Sequence, residues 1–236
     1  MAALAAAIIH ALASGSYATL ATPRSKPYLM AASAILLVFA VAACCGAFHA
    51  SAHSSRRWLV ALIVPALLVT VPFRPAADAS GFDPYAGGRA IPISHDVYGD
   101  VGAAHLHGLD DGRRIITIRD DEFGAWVKQI GHHPDRYIGY RVRVTGFVDR
   151  PGVFNADEIQ VSRQFMSCCI LDMTPFGFVA SSDRVKQLKE RQWVSVEGEL
   201  TEGTYGVSGH ARRGLMLKVD VVRSVQQVPT GYFYLQ

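Results

Sequence analysis

Acidic side chains are missing from the first 73 residues of this 236-residue chain. All 20 Asp and Glu lie beyond that point, and the opening stretch is charged only at Arg24, Lys26, Arg56 and Arg57. A segment so poor in charge cannot surround itself with water as a globular surface does, which excludes an ordinary soluble domain there and points to lipid. Separated half-cystines are lacking too. The four cysteines form two adjacent pairs, Cys44-Cys45 and Cys168-Cys169, unlike the spaced framework of a disulfide-stapled secreted module. Nor does charge of one sign accumulate: the formal net charge is +3, and beyond position 112 bases alternate with acids. Without a continuous cationic track for a phosphate backbone, nucleic acid is not an expected partner. No Walker loop, dinucleotide glycine fingerprint, GxSxG elbow or HExxH helix occurs, so no catalytic residue is assigned and no enzyme activity is expected.

What the first part does contain is apolar length. Residues 28–50 offer 23 positions without formal charge apart from His49, enough at about 1.5 Å per residue to cross about 30 Å of hydrocarbon. Residues 1–20, rich in Ala, Ile and Leu but broken by His10, Ser14, Gly15 and Ser16, suggest a marginal span; no basic n-region marks a signal peptide. Residues 58–73, with Pro65 central and Trp58 and Phe73 near the ends, predict a third, kinked span with interfacial aromatics. The expectation is therefore an α-helical membrane anchor of two to three transmembrane helices, multi-pass in the cell membrane. The charged loops do not fix its orientation. Cys44 and Cys45 fall in an apolar helix, where small polarizable side chains pack against neighbours.

A Pro- and Gly-containing linker over 74–90 leads to a soluble domain over 91–236. Arg114–Ile118 reads as a strand, and Phe123, Trp126, Val127 and Ile130 recur at helical spacing behind Asp120 or Asp121 as N-cap. Apolar residues at every second position predict a strand over 140–145, a turn at Asp149-Arg150-Pro151-Gly152, and a return strand over 158–166. Further strands are expected at 175–181, around Val194–Leu200 and at 215–221, with a short helix over 183–190. Strand, strand, strand, helix, strand, strand is the order of a small, mainly β, OB-like barrel.

Two groups of residues suggest ligand chemistry. His105 and His107 would lie on one face of an extended strand, with Asp110 and Asp111 following, although an isolated HxH lacks the paired spacing of a zinc motif. Cys168 and Cys169 form the other group. On a regular strand Cys169 points inward and Cys168 outward beside Gln164, Met166 and Asp172, so both sulfurs reach one site only where a bulge or turn breaks the pleat. Three readings stand open: simple packing of small buried residues, a soft-metal site for zinc, copper or a metalloid completed by Asp172 or Met166, and thiol-redox chemistry. Arg163 nearby would lower the thiol pKa.

The segments HHPDRYIGYRVRVTGFVDR, QFMSCCILDMTPFGFVA, LKERQWVSVEGEL and GYFYLQ resemble the YcgQ-like family of uncharacterised bacterial membrane proteins over essentially the whole chain. That resemblance implies N-terminal membrane helices, a C-terminal soluble domain and a subunit of a two-component permease. The implied partner is a multi-span permease of the class related to arsenical permeases. Cys168 and Cys169 match the family's paired cysteines, Asp172 matches an acid following them, and Gly146-Phe147 matches a strand-end motif. The resemblance implies no catalytic residues.

Overall fold

The computed structural model describes residues 1–46, 90–93, 106–225 and 231–235. The chain divides into two units: residues 1–76 together with 168–171, and residues 77–167 together with 172–236.

In the first unit, α1 (Ala2–Ser14) ends where Gly15 adopts a left-handed conformation at φ 73° and donates its N–H to Leu12 O, a stop that glycine accepts without a steric penalty. At about 1.5 Å per residue its 13 residues are a shorter apolar helix than a bilayer core requires, so a span over 1–20 is not shown. The second helix, α2 (Lys26–Cys44), follows a 3-10 turn at Pro23–Ser25, because prolines 23 and 27 suit the first turn, where an N–H has no partner to lose. The run Pro23–Cys44 has 22 residues and a mean hydropathy of 2.1, long and apolar enough to cross a membrane by length and composition. It is the one such helix among the described residues; the expected span over 58–73 and the linker up to residue 89 lie outside them. The helices α1 and α2 are in contact, and the buried residues Ala5, Ala7 and Ala11 on α1 and Ser33 on α2 are small ones of the kind that lets apolar helices approach closely. Cys44 and Cys45 are exposed instead of packed.

In the second unit, β4 (Arg141–Asp149), β5 (Glu158–Phe165), β6 (Thr174–Ser181), β7 (Trp193–Tyr205) and β8 (Arg212–Ser224) close a five-stranded barrel. Antiparallel pairs join β4 to β5, β5 to β6, β4 to β7 and β7 to β8, and a short parallel pair, Ala180↔Leu217 and Ser181↔Lys218, closes the ring. This is the OB-like barrel expected from the strand order. Short strands extend it on both sides. β2 (Leu109–Asp110) and β3 (Ile115–Thr117) add beyond β4, while β1 (Ala90–Ile93) and β9 (Tyr232–Leu235) add beside β5.

The barrel core holds Val142, Val144, Ile159, Val161, Ala180, Val194, Val196, Leu200 and Leu217. Between β3 and β4, α3 (Phe123–His132) brings Phe123, Trp126 and Ile130 to that core, as their spacing predicts. Its N-cap is Glu122, with no side-chain capping bond, so the expected capping by Asp120 or Asp121 is corrected. The helix expected over 183–190 is a single 3-10 turn, Asp183–Val185, whose Ser182 hydroxyl accepts the Arg184 N–H. Gly146, expected at a strand end, lies inside β4. An added Cβ there would stand 2.7 Å from Ser162 O, and one at Gly177 would stand 2.0 Å from Val161 O, so both neighbours of β5 need glycine to come this close.

Candidate metal centre

The strand carrying the approach to the thiols ends at Phe165. The Met166 N–H then donates to Phe233 O at 3.0 Å, which zips this residue to β9 and leaves its side chain wholly buried. The regular-strand expectation that Met166 lies on the open side with Cys168 is thereby corrected. Its thioether is part of the packed interior. Beyond it the pleat breaks, as a shared site requires: a bend at Ser167 and Cys168 is followed by a 3-10 turn, Ile170–Asp172, before β6 begins at Thr174. Leu171, which on a regular strand would share the inward side of Cys169, is 92% exposed because the turn rotates it outward.

The break has a chemical consequence. Cys168 Sγ, Cys169 Sγ and a carboxylate oxygen of Asp172 all lie within 4.8 Å of one another. Cys168 is exposed and Cys169 partly so, and both are thiols. The Ser167 N–H donates to Asp172 Oδ1 at 3.0 Å, holding the carboxylate over the turn. Backbone bonds fix the loop on either side of Cys169: the Thr22 N–H donates to Cys168 O at 3.0 Å, the Ile170 N–H donates to Leu20 O at 2.9 Å, and Ala21 forms an antiparallel bridge with Cys169.

Two soft sulfurs and one oxygen at this spacing can converge on a metal ion, since sulfur ligands at about 2.3 Å from zinc stand about 4 Å apart in tetrahedral geometry. Three donors leave a further position open. The residues therefore fit a thiophilic ion, which would be held by Cys168, Cys169 and Asp172. A disulfide between them fits less well. Adjacent Cα atoms across a trans peptide are about 3.8 Å apart, shorter than the span that bridged cysteines ordinarily take.

Arg163 is not turned to the thiols. Only 6% exposed, its guanidinium donates to Thr145 O at 2.8 Å and to Asp120 at 2.5 Å and lies over the Phe123 and Trp193 rings at 5.3 and 5.1 Å. Burial pulls its pKa down, and the Asp120 pair pushes back. The histidine group is also rearranged. His107 donates its backbone N–H to Glu122 and places Nδ1 2.5 Å from Glu122 Oε1, while its carbonyl accepts the Trp126 indole N–H at 3.1 Å. Asp110 accepts the Arg113 N–H and Asp111 the Tyr140 hydroxyl. His105 lies outside the described residues.

Two residues escaped the sequence reading. The carboxylate of Glu158 ties Asn155 to Gly206, and the guanidinium of Arg150 binds the carbonyls of Ala156, Glu158, Val185 and Leu188. No local pattern marks either, because Gly206, Val185 and Leu188 come from distant parts of the chain and complete what nearby Asn155 and Ala156 begin.

The family model described as the DUF1980 C-terminal domain matches residues 100–235. A curated relative, the UPF0703 protein YcgQ of Bacillus subtilis (strain 168), is 23% identical over 116 residues, which cover 49% of this chain and 40% of that protein. The chain thus matches less than half of that relative's length. Among solved structures, the small single-stranded DNA-binding protein from Streptomyces coelicolor has 16% identity and a TM-score of 0.23, covering 37% of this chain and 95% of its own. The mitochondrial single-stranded DNA binding protein Rim1 of S. cerevisiae has 10% identity and a TM-score of 0.22, covering 39% and 98%. These scores are too low to bear on function.

Proposed function

The chain belongs to the DUF1980 C-terminal domain family, and from that premise we propose that it is a membrane-anchored OB-like barrel whose thiol loop captures a soft metal or metalloid ion. In this reading α2 is the membrane anchor, and the barrel serves as an accessory subunit beside a multi-span permease. One observation carries the proposal: two thiols and a carboxylate from a five-residue loop converge within 4.8 Å. Soft ions prefer thiolate ligands over the oxygen-rich surroundings of bulk solvent, and capture at neutral pH would release the thiol protons. The permease partner rests on the family resemblance alone.

The test uses the full chain in detergent or nanodiscs, titrated separately with zinc, copper(I) and arsenite. One ion per chain is expected for at least one of the three, with binding lost in the Cys168→Ser/Cys169→Ser variant and about tenfold or more weaker in Asp172→Asn. Equal binding by wild type and the double variant would remove the proposal. Thiol-redox chemistry is the alternative, and reversible oxidation of the pair without any metal uptake would favour it.

A further inference from the structure

We infer that the thiol loop, residues 168–171, lies in the headgroup layer of an anionic bilayer, with Leu171 inserted among the lipids. The inference rests on the membrane part of the preceding reading and adds a location and a lipid partner. Its starting point is the bridge between Ala21 and Cys169, with the flanking bonds from Thr22 to Cys168 and from Ile170 to Leu20. These hold the loop against the residues immediately ahead of the apolar run Pro23–Cys44. Lys26 opens α2, and the three-residue 3-10 turn Pro23–Ser25 separates it from Thr22, about 6–8 Å at about 2 Å per residue. The polar layer on one side of a bilayer is about 5–8 Å deep. A loop hydrogen-bonded to residues 20–22 therefore sits within that layer when α2 spans the core.

The surface there suits such a place. Leu171 is 92% exposed, an apolar side chain projected outward from a loop that already carries backbone bonds. Arg24, just ahead of α2, and Lys26, at its start, are exposed, and Tyr28, two residues further on, is 76% exposed. Aromatic and basic residues at the end of a span are the usual interfacial anchors, and the absence of acids from the first 73 residues leaves nothing in that segment to oppose negative headgroups. Asp172, the acid of the turn, is held by the Ser167 N–H and gathered with the thiols. An anionic surface also concentrates cations next to it, so thiols at this depth meet a higher local concentration of the ions they would take.

The experiment places the full chain carrying Leu171→Trp in nanodiscs of either anionic or zwitterionic lipid, with bromines near the headgroup end or near the methyl end of the acyl chains. Wild-type emission is subtracted. In anionic nanodiscs the indole introduced at 171 is expected to lose most of its emission to the shallow bromines and little to the deep ones. Zwitterionic lipid, or the added Arg24→Glu/Lys26→Glu pair, is expected to reduce that quenching severalfold. Hydrogen exchange on the unsubstituted chain supplies a second readout, with stronger protection over 168–171 in anionic nanodiscs. Emission indifferent to bromine position overturns the inference, and quenching indifferent to lipid charge overturns its anionic part. A chain that does not enter nanodiscs at all refutes the membrane anchor itself, a result distinct from either.

Discussion

Glu158 shows how one side chain can join two loops that share no sequence signal. Its buried carboxylate accepts the Asn155 N–H at 2.8 Å, the Asn155 side-chain amide at 3.0 Å and the Gly206 N–H at 2.9 Å. Burial alone pushes its pKa up, but the three donated hydrogen bonds outweigh that and hold it below the ordinary 4.5. A carboxyl whose folded-state pKa is depressed contributes stability above its unfolded value and loses it as pH falls through the lower folded one. Glu158→Gln is therefore expected to cost about 1–3 kcal/mol at neutral pH, a deficit that shrinks as pH drops below 4.5. Urea unfolding of both proteins across an acid pH series checks the magnitude and the sign; a gap that widens in acid would contradict the account.

At the scale of elements, the close approach of β4, β5 and β6 sets the barrel's curvature. The Cβ of an alanine at 177 would stand 2.0 Å from Val161 O and 2.9 Å from Ser162 Cα, contacts with backbone that no rotamer change relieves. Gly177→Ala is expected to destabilise the protein by at least about 2 kcal/mol, read as a lower midpoint in denaturant unfolding followed by far-ultraviolet circular dichroism. Gly152, whose added Cβ would meet nothing within 4 Å, provides the control, with a much smaller effect for Gly152→Ala. The same strand decides the site. Because β5 stops at Phe165 and a 3-10 turn follows, Cys168 and Cys169 escape the alternation that would have sent their sulfurs to opposite faces.

For the molecule as a whole, the contrast between an acid-free opening segment and a later segment holding every acid is the largest physical division. Among the described residues only 6% of the apolar window of the helix Pro23–Cys44 is buried, and for apolar surface left open in this way lipid is a more favourable neighbour than water. Ile35→Arg, near the middle of α2 and at a position exposed in the structure, is expected to oppose insertion by about 3–4 kcal/mol. The fraction of chain retained in membranes after an alkaline carbonate wash measures it, and unchanged retention would show that α2 is not the anchor.

Composition and periodicity by themselves determined the charge division, the apolar run of α2, the helical face of Phe123, Trp126 and Ile130, and the order of strands that closes the barrel. Each depends on neighbours within a few residues or on a repeating pattern, which is the information a linear chain carries openly. Tertiary structure alone decided the rest. Met166 is buried because β9 arrives from the far end of the chain to accept its N–H. Arg163 is drawn to Asp120 and two aromatic rings rather than to the thiols, and Glu158 and Arg150 find partners across distant loops. The adjacent cysteines could be read in the sequence, but their convergence with Asp172 could not, because it required the strand to end at Phe165, three residues before Cys168.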